Sequence, residues 1–104
     1  MKTKIKIGDC LIQRGEYLFI VSKVIDRLDT LYKFANIRFN AKTQELRYYY
    51  TFEGEYDVLG ERIDGKVFDA IEQMVDNMRE SINITKNGAF DRLISYLEKT
   101  VGDI

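Results

Sequence analysis

The sequence contains no proline, no tryptophan and no histidine, and its one cysteine is Cys10. Without histidine there is no Ser-His-Asp or Cys-His relay, and the only common side chain that ordinarily titrates near neutral pH is missing. A lone cysteine permits no intramolecular disulfide and no zinc site built from cysteine and histidine. Long apolar runs are missing as well. The longest, residues 17–21, is five residues, against the roughly 18 needed to span a bilayer. Residues 1–7 alternate basic and apolar side chains instead of forming an apolar h-region, so no secretory signal is expected. Asn83-Ile84-Thr85 fits the glycosylation pattern, but without such a signal it reads as coincidence. The expectation is a cytoplasmic protein that does not enter a membrane.

What is present is ordinary globular material. The chain has 104 residues, of which 45% are hydrophobic, the composition of a folded chain and the length of one domain. The net charge of −1 conceals a division. Residues 1–50 carry ten Lys/Arg against five Asp/Glu, and residues 51–104 carry six against twelve, so the halves stand at +5 and −6. Such asymmetry fits an acidic or nucleic-acid partner for the basic half. The preferred reading is two halves that face each other within the fold or between copies, because no run of five or more like charges occurs.

From residue 4 to residue 52 the pattern has period two. Lys4 and Lys6 alternate with Ile5 and Ile7, as in a strand with one wet face. Gly8-Asp9 marks a bend before Cys10-Leu11-Ile12, and residues 13–16 read as a turn around Gly15. Residues 17–25 are apolar on both faces and read as the central strand, followed by a polar connection over 26–30. Residues 31–39 and 45–52 read as aromatic-rich strands, with a further short strand at 56–59. Connections this short force antiparallel neighbours. The pattern then changes period. Val67, Phe68, Ile71, Met74, Val75, Met78 and Ile82 fill one face of a helix, with Asp64 as its cap. Phe90, Leu93, Ile94, Leu97 and Val101 fill one face of another, with Asn87 as cap and Gly102 as the C-terminal stop. Residues 82–86 between them alternate and read as one more short strand. Strands followed by helices define an α+β fold. It is expected as a single domain over residues 1–104, a meander of four or five strands within 1–59 and a helical part over 64–101.

Three constellations bear on chemistry. Gly60-Glu61-Arg62-Ile63-Asp64-Gly65-Lys66-Val67 fits all but the last position of the phosphate-loop pattern. Val67 supplies no hydroxyl for Mg²⁺, however, and Glu61 and Asp64 would repel phosphate, so two glycines framing a turn and a helix start is the preferred reading. Glu53, Glu55 and Asp57 share a face if the segment is extended. They match no dedicated calcium loop and read as solvated charges. Cys10 has no histidine to activate it and reads as a small buried hydrophobe, while Met74 and Met78 read as core filler.

The third constellation is aromatic. In Arg47-Tyr48-Tyr49-Tyr50, alternation turns Tyr49 away from Tyr48 and Tyr50; if Leu46, Tyr48, Tyr50 and Phe52 point inward, then Arg47, Tyr49 and Thr51 face out. Lys4, Lys6, Lys33, Arg38 and Arg47 are the candidates for phosphate contact, with Tyr49 as a stacking platform. Cross-strand packing, which favours aromatics in any sheet, is the first reading of these residues, and tyrosine and arginine are equally the anchors of protein interfaces. Ile5-Lys6-Ile7-Gly8-Asp9-Cys10-Leu11-Ile12 and the meander after it resemble the small SH3-like barrels, a resemblance that covers about half the chain and implies no functional residue. The function expected is a non-enzymatic binding module for a protein partner or a second copy of itself. The alternative is nucleic-acid binding on the basic, aromatic sheet face. No metal, cofactor or small-molecule substrate is expected.

Overall fold

The computed structural model describes residues 5–55, 58, 60–80 and 86–101. Five strands, β1 (Cys10–Arg14), β2 (Leu18–Leu28), β3 (Leu31–Asn40), β4 (Glu45–Gly54) and β5 (Glu61–Ile63), precede two helices, α1 (Lys66–Glu80) and α2 (Lys86–Val101). The strands form one sheet in the order β4-β3-β2-β1-β5, and every pairing is antiparallel. This is the α+β fold of an antiparallel meander followed by two helices. The edges of the sheet are β4 and β5. No helix of the described residues is long and apolar enough to cross a membrane.

Local chemistry sets the strand ends. The chain enters β1 through a bend at Gly8, where φ is +98°, with the Lys6 amide donating to Asp9 Oδ2 at 2.9 Å. Residues 5–9 are therefore not a strand, although Gly8 and Asp9 still exchange backbone bonds with Val24. The central strand runs on to Leu28, beyond the expected break at residue 26. A register shift between Val24 and Asp26 absorbs the irregularity, and Asp29, at φ +54°, lets a two-residue turn lead straight into β3. Between β3 and β4, Asn40 Oδ1 accepts from the amides of Lys42 and Thr43.

Two further expectations are corrected. Asn87 does not cap α2 but lies in its first turn, where backbone amides lack intrahelical partners anyway and Asn-Gly costs least. The stretch read as a turn between Gly60 and Gly65 contains a short edge strand instead, because Glu61–Ile63 pairs with Ile12, Leu11 and Cys10. Asp64 does receive the Lys66 amide at 2.9 Å at the start of α1. The expected strands at 56–59 and 82–86 and the stop at Gly102 lie wholly or partly outside the described residues, as do Ile82 and the side chains of Met78, Phe90 and Val101.

The two faces of the sheet have different covers. On one face Cys10, Ile12, Phe19, Val21, Ala35, Ile37 and Phe39 pack against Val67, Phe68, Ile71 and Val75 of α1 and Leu93 and Leu97 of α2. On the other face Leu11, Val24, Tyr32 and Phe34 form a smaller cluster with Ile5 and Val58, fastened by the Tyr32 hydroxyl donating to the Ile5 carbonyl at 3.0 Å. Each such side chain contributes about 1.5–3 kcal/mol relative to exposure. The helix layer is centred on β1, β2 and β3, and among the described residues nothing covers the far side of β4.

Candidate functional site

That bare margin holds the largest departure from expectation. Leu46, Tyr48, Tyr50 and Phe52 do share the helix-facing side, since their partners across the ladder are Phe39, Ile37, Ala35 and Lys33. Leu46 packs against the core. Tyr48, Tyr50 and Phe52 are exposed, at 37%, 54% and 54% of their surface, because two helices are too narrow to cover five strands. Leu31 and Leu28 at the neighbouring strand ends are exposed on the same side. Among the described residues, five of the seven exposed large hydrophobic side chains therefore gather on one margin of one face. Scattered single exposures are normal, but a contiguous group of this kind marks a contact surface.

The margin is ordered by its own contacts. The rings of Tyr48 and Tyr50 meet edge to face, with centroids 5.6 Å apart and planes at 89°. Lys33 Nζ lies 4.9 Å from the centroid of Tyr50, a cation–π contact. The Tyr48 hydroxyl donates to Glu72 Oε2 of α1 at 3.2 Å. Partial desolvation, the bond to Tyr50 and the Glu72 carboxylate all raise the pKa of Tyr48 above its ordinary value. The shift favours the neutral phenol, the form that donates to Glu72.

The basic residues singled out from the sequence do not gather on one face. Arg38 and Arg47 stand directly opposite each other on the face away from the helices, beside Tyr49. Lys33 lies on the helix-facing side against Tyr50. The side-chain period of a strand made this legible, because residues 33 and 38 differ by an odd number and must point to opposite faces. Lys6 sits in the bend before β1, and Lys4 lies outside the described residues. The charge division of the sequence is partly closed within the fold. Lys23 meets Asp69 of α1 at 2.8 Å and Arg14 meets Glu61 at 3.7 Å, each joining a base of the first half to an acid of the second. Exposed pairs of this kind are worth about 0–1 kcal/mol, so they orient the layers more than they hold them.

Sequence reasoning missed a polar row across the second face. The Ser22 hydroxyl donates to Asn36 Oδ1, and Asn36 Nδ2 donates to Thr51 Oγ1 at 2.9 Å. Asn36, a buried polar residue, is thereby satisfied on both sides. A small cavity of about 50 Å³ lies over it, lined by residues that include Gln13, Tyr49 and Glu53. A polar residue in the middle of the apolar strand β3 was the available signal. A second, wide-open cleft of about 550 Å³ separates the β1–β2 and β3–β4 turns from α2, with Tyr17, Phe19, Lys42, Ile94 and Glu98 in its walls.

Catalytic chemistry finds no foothold at the cysteine. Cys10 is fully buried, and burial, reinforced by the Asp69 carboxylate and opposed by the Phe68 amide and the Lys23 ammonium, pushes its thiol up to about 11. A thiol reagent should leave the native protein unlabelled at pH 8 and react fully once it is denatured. The same shift couples to stability. An unfolded thiol loses its proton near pH 9 while the folded one keeps it, so this contribution is whole below pH 9 and disappears as the pH rises to about 11. The expected loss is about 2–3 kcal/mol, read as the difference between wild type and Cys10→Ala in alkaline denaturation. Parallel curves for the two proteins would contradict it. Among the described residues no group of three or more acidic, cysteine or histidine side chains is placed to hold a metal ion. Glu53 lies on the second face opposite Tyr32, and Asp57 lies outside the described residues.

No protein-family model, no curated protein and no solved structure matches this chain.

Proposed function

We propose that the protein is a non-enzymatic interaction module that works in protein–protein assembly through the bare aromatic margin of strand β4. The observation that carries this reading is the collection of Tyr48, Tyr50, Phe52, Leu31 and Leu28 on one side of an edge strand. Aromatic side chains give large contact area with few rotatable bonds, which is why they dominate binding hot spots. Lysine and glutamate at the rim, here Lys33 and Glu72, supply the polar surround that such a patch needs. The test is capture of a partner from the source cell by tagged protein, compared with the Tyr50→Asp/Phe52→Asp double variant. The reading expects a partner that the double variant loses while keeping its circular dichroism spectrum. Identical capture by both proteins, or none by either, would remove it.

A second reading has its own observation. Arg38 and Arg47 face each other across β3 and β4 next to Tyr49, and among the described residues no acid pairs with Arg38. Two like charges held directly opposite destabilise a ladder unless an anion lies between them, so this face suits a phosphate of single-stranded nucleic acid with a base stacked on Tyr49. Affinity for an oligonucleotide should then fall steeply with salt and drop further in Arg38→Ala. No detectable binding in low salt would end this alternative.

A further inference from the structure

Strand β4 is a sheet edge ten residues long. Natural edges of that length are blunted by proline, by bulges or by charges along their middle. Here Tyr48-Tyr49-Tyr50-Thr51-Phe52 carries no charge and no proline, and the charges sit to either side, at Glu45 and Arg47 on one end and Glu53 on the other. Among the described residues no strand pairs with the outer side of β4. Its exposed aromatics and its open backbone therefore present themselves to the same partner.

We infer that this partner is a second copy of the chain, with the two β4 strands pairing antiparallel about a two-fold axis at Tyr50 to make one continuous sheet. The inference rests on the assembly reading above and names its occupant. The axis position follows from backbone parity. Successive residues of a strand turn their amide and carbonyl groups alternately toward one neighbour and the other. Directly opposed residues in two identical antiparallel strands must therefore have numbers of equal parity, and the axis has to pass through a residue, never between two.

Charge then chooses among the allowed axes. An axis at Tyr49 sets Glu45 against Glu53 of the second copy, a like pair occurring twice. An axis at Tyr48 or Thr51 shortens the paired stretch. An axis at Tyr50 sets Arg47 against Glu53 of the second copy, an opposite pair occurring twice within the strands, while Glu45 meets Glu55 only past the end of β4 at Gly54. On the other side of the sheet it sets Tyr48 against Phe52 of the second copy and Tyr50 against its own image. Among the described residues Arg47 has one long contact, with Glu45, 3.7 Å between two well-exposed side chains, so little is lost when it turns to a new partner. The aromatic margins of both copies then fill the valley between two helix layers, where Lys33 and Glu72 already stand at the rim.

Three measurements on the full chain test this. Light scattering up to roughly 1 mM protein, where even weak self-association is half-populated, should show a dimer. Arg47→Glu should weaken it about tenfold or more by opposing Glu to Glu twice, and Arg47→Glu/Glu53→Arg should bring it back to within a few-fold of wild type. Circular dichroism confirms that each variant folds. Under mild oxidation Tyr50→Cys should cross-link to itself, since opposed strand residues lie within disulfide reach, whereas Tyr49→Cys should not. A monomer at every concentration, a dimer indifferent to Arg47→Glu, or cross-linking at position 49 in place of 50 overturns the inference. A monomer that still captures a partner sensitive to Tyr50→Asp/Phe52→Asp overturns self-pairing alone and leaves the assembly reading standing.

Discussion

Replacing Phe39 by alanine is expected to remove about 3–5 kcal/mol of stability. Phe39 has no exposed surface. It stacks on Phe19 with ring centroids 5.1 Å apart and planes only 14° from parallel, and it belongs to the cluster that joins the sheet to both helices. Truncation therefore removes the transfer energy of the ring and leaves a cavity between two layers, which cannot collapse without tilting a helix. A domain of this size holds about 5–15 kcal/mol in total, so the loss is a large part of the whole. Urea denaturation should show a much lower midpoint with an unchanged slope. A loss below about 1 kcal/mol would mean that the helices do not rest on this face as described.

The second large effect belongs to a glycine. Gly60 holds φ at +121°, a region essentially closed to other residues. A Cβ there would lie 3.1 Å from the Ile12 carbonyl oxygen and 3.3 Å from Leu11 Cβ. Neither is the free end of a flexible chain. Gly60→Ala should therefore cost about 2 kcal/mol or more, combining backbone strain with displacement of β5 from β1. Two other glycines calibrate the result. Gly8 has a positive φ of +98° and open space around it, so alanine there meets strain alone, and Gly15 has open space and no positive φ. The expected order of loss is Gly60, then Gly8, then Gly15 near zero. An equal loss at Gly60 and Gly15 would refute the close approach.

The same residues show how far the sequence could be read. The change of hydrophobic period between Phe52 and Val67 made the α+β division plain, because alternation and helical spacing need only the local chain. The short connections forced the antiparallel order. Strand ends were less legible: Asp26-Arg27-Leu28 looks like a loop by composition, yet a register shift lets it remain paired to β3. Tertiary pairing overrode local preference there. For the site, alternation put Tyr48, Tyr50 and Phe52 on one side of the sheet together, but which side that is, and their exposure, depend on how far two helices reach across five strands. That width is a property of packing, and no window along the chain contains it. Asn36 was illegible for a similar reason, since its two partners, Ser22 and Thr51, belong to separate strands on either side.

The order of elements has a consequence in time. Hairpins close in about 1–10 μs, so β2, β3 and β4 can pair as soon as they leave a ribosome. Their main cover is encoded downstream, in residues 66–101. At a synthesis rate of about 5–20 residues per second, Val21, Ile37 and Phe39 wait roughly several seconds for α1 and α2. A sheet that pairs within that interval presents an uncovered apolar face and an open aromatic edge side by side until the helices arrive. Lys23, which later meets Asp69, then stands as an unmatched cation on that same face. A charge within the apolar surface is a device that slows wrong pairing until the right neighbour arrives.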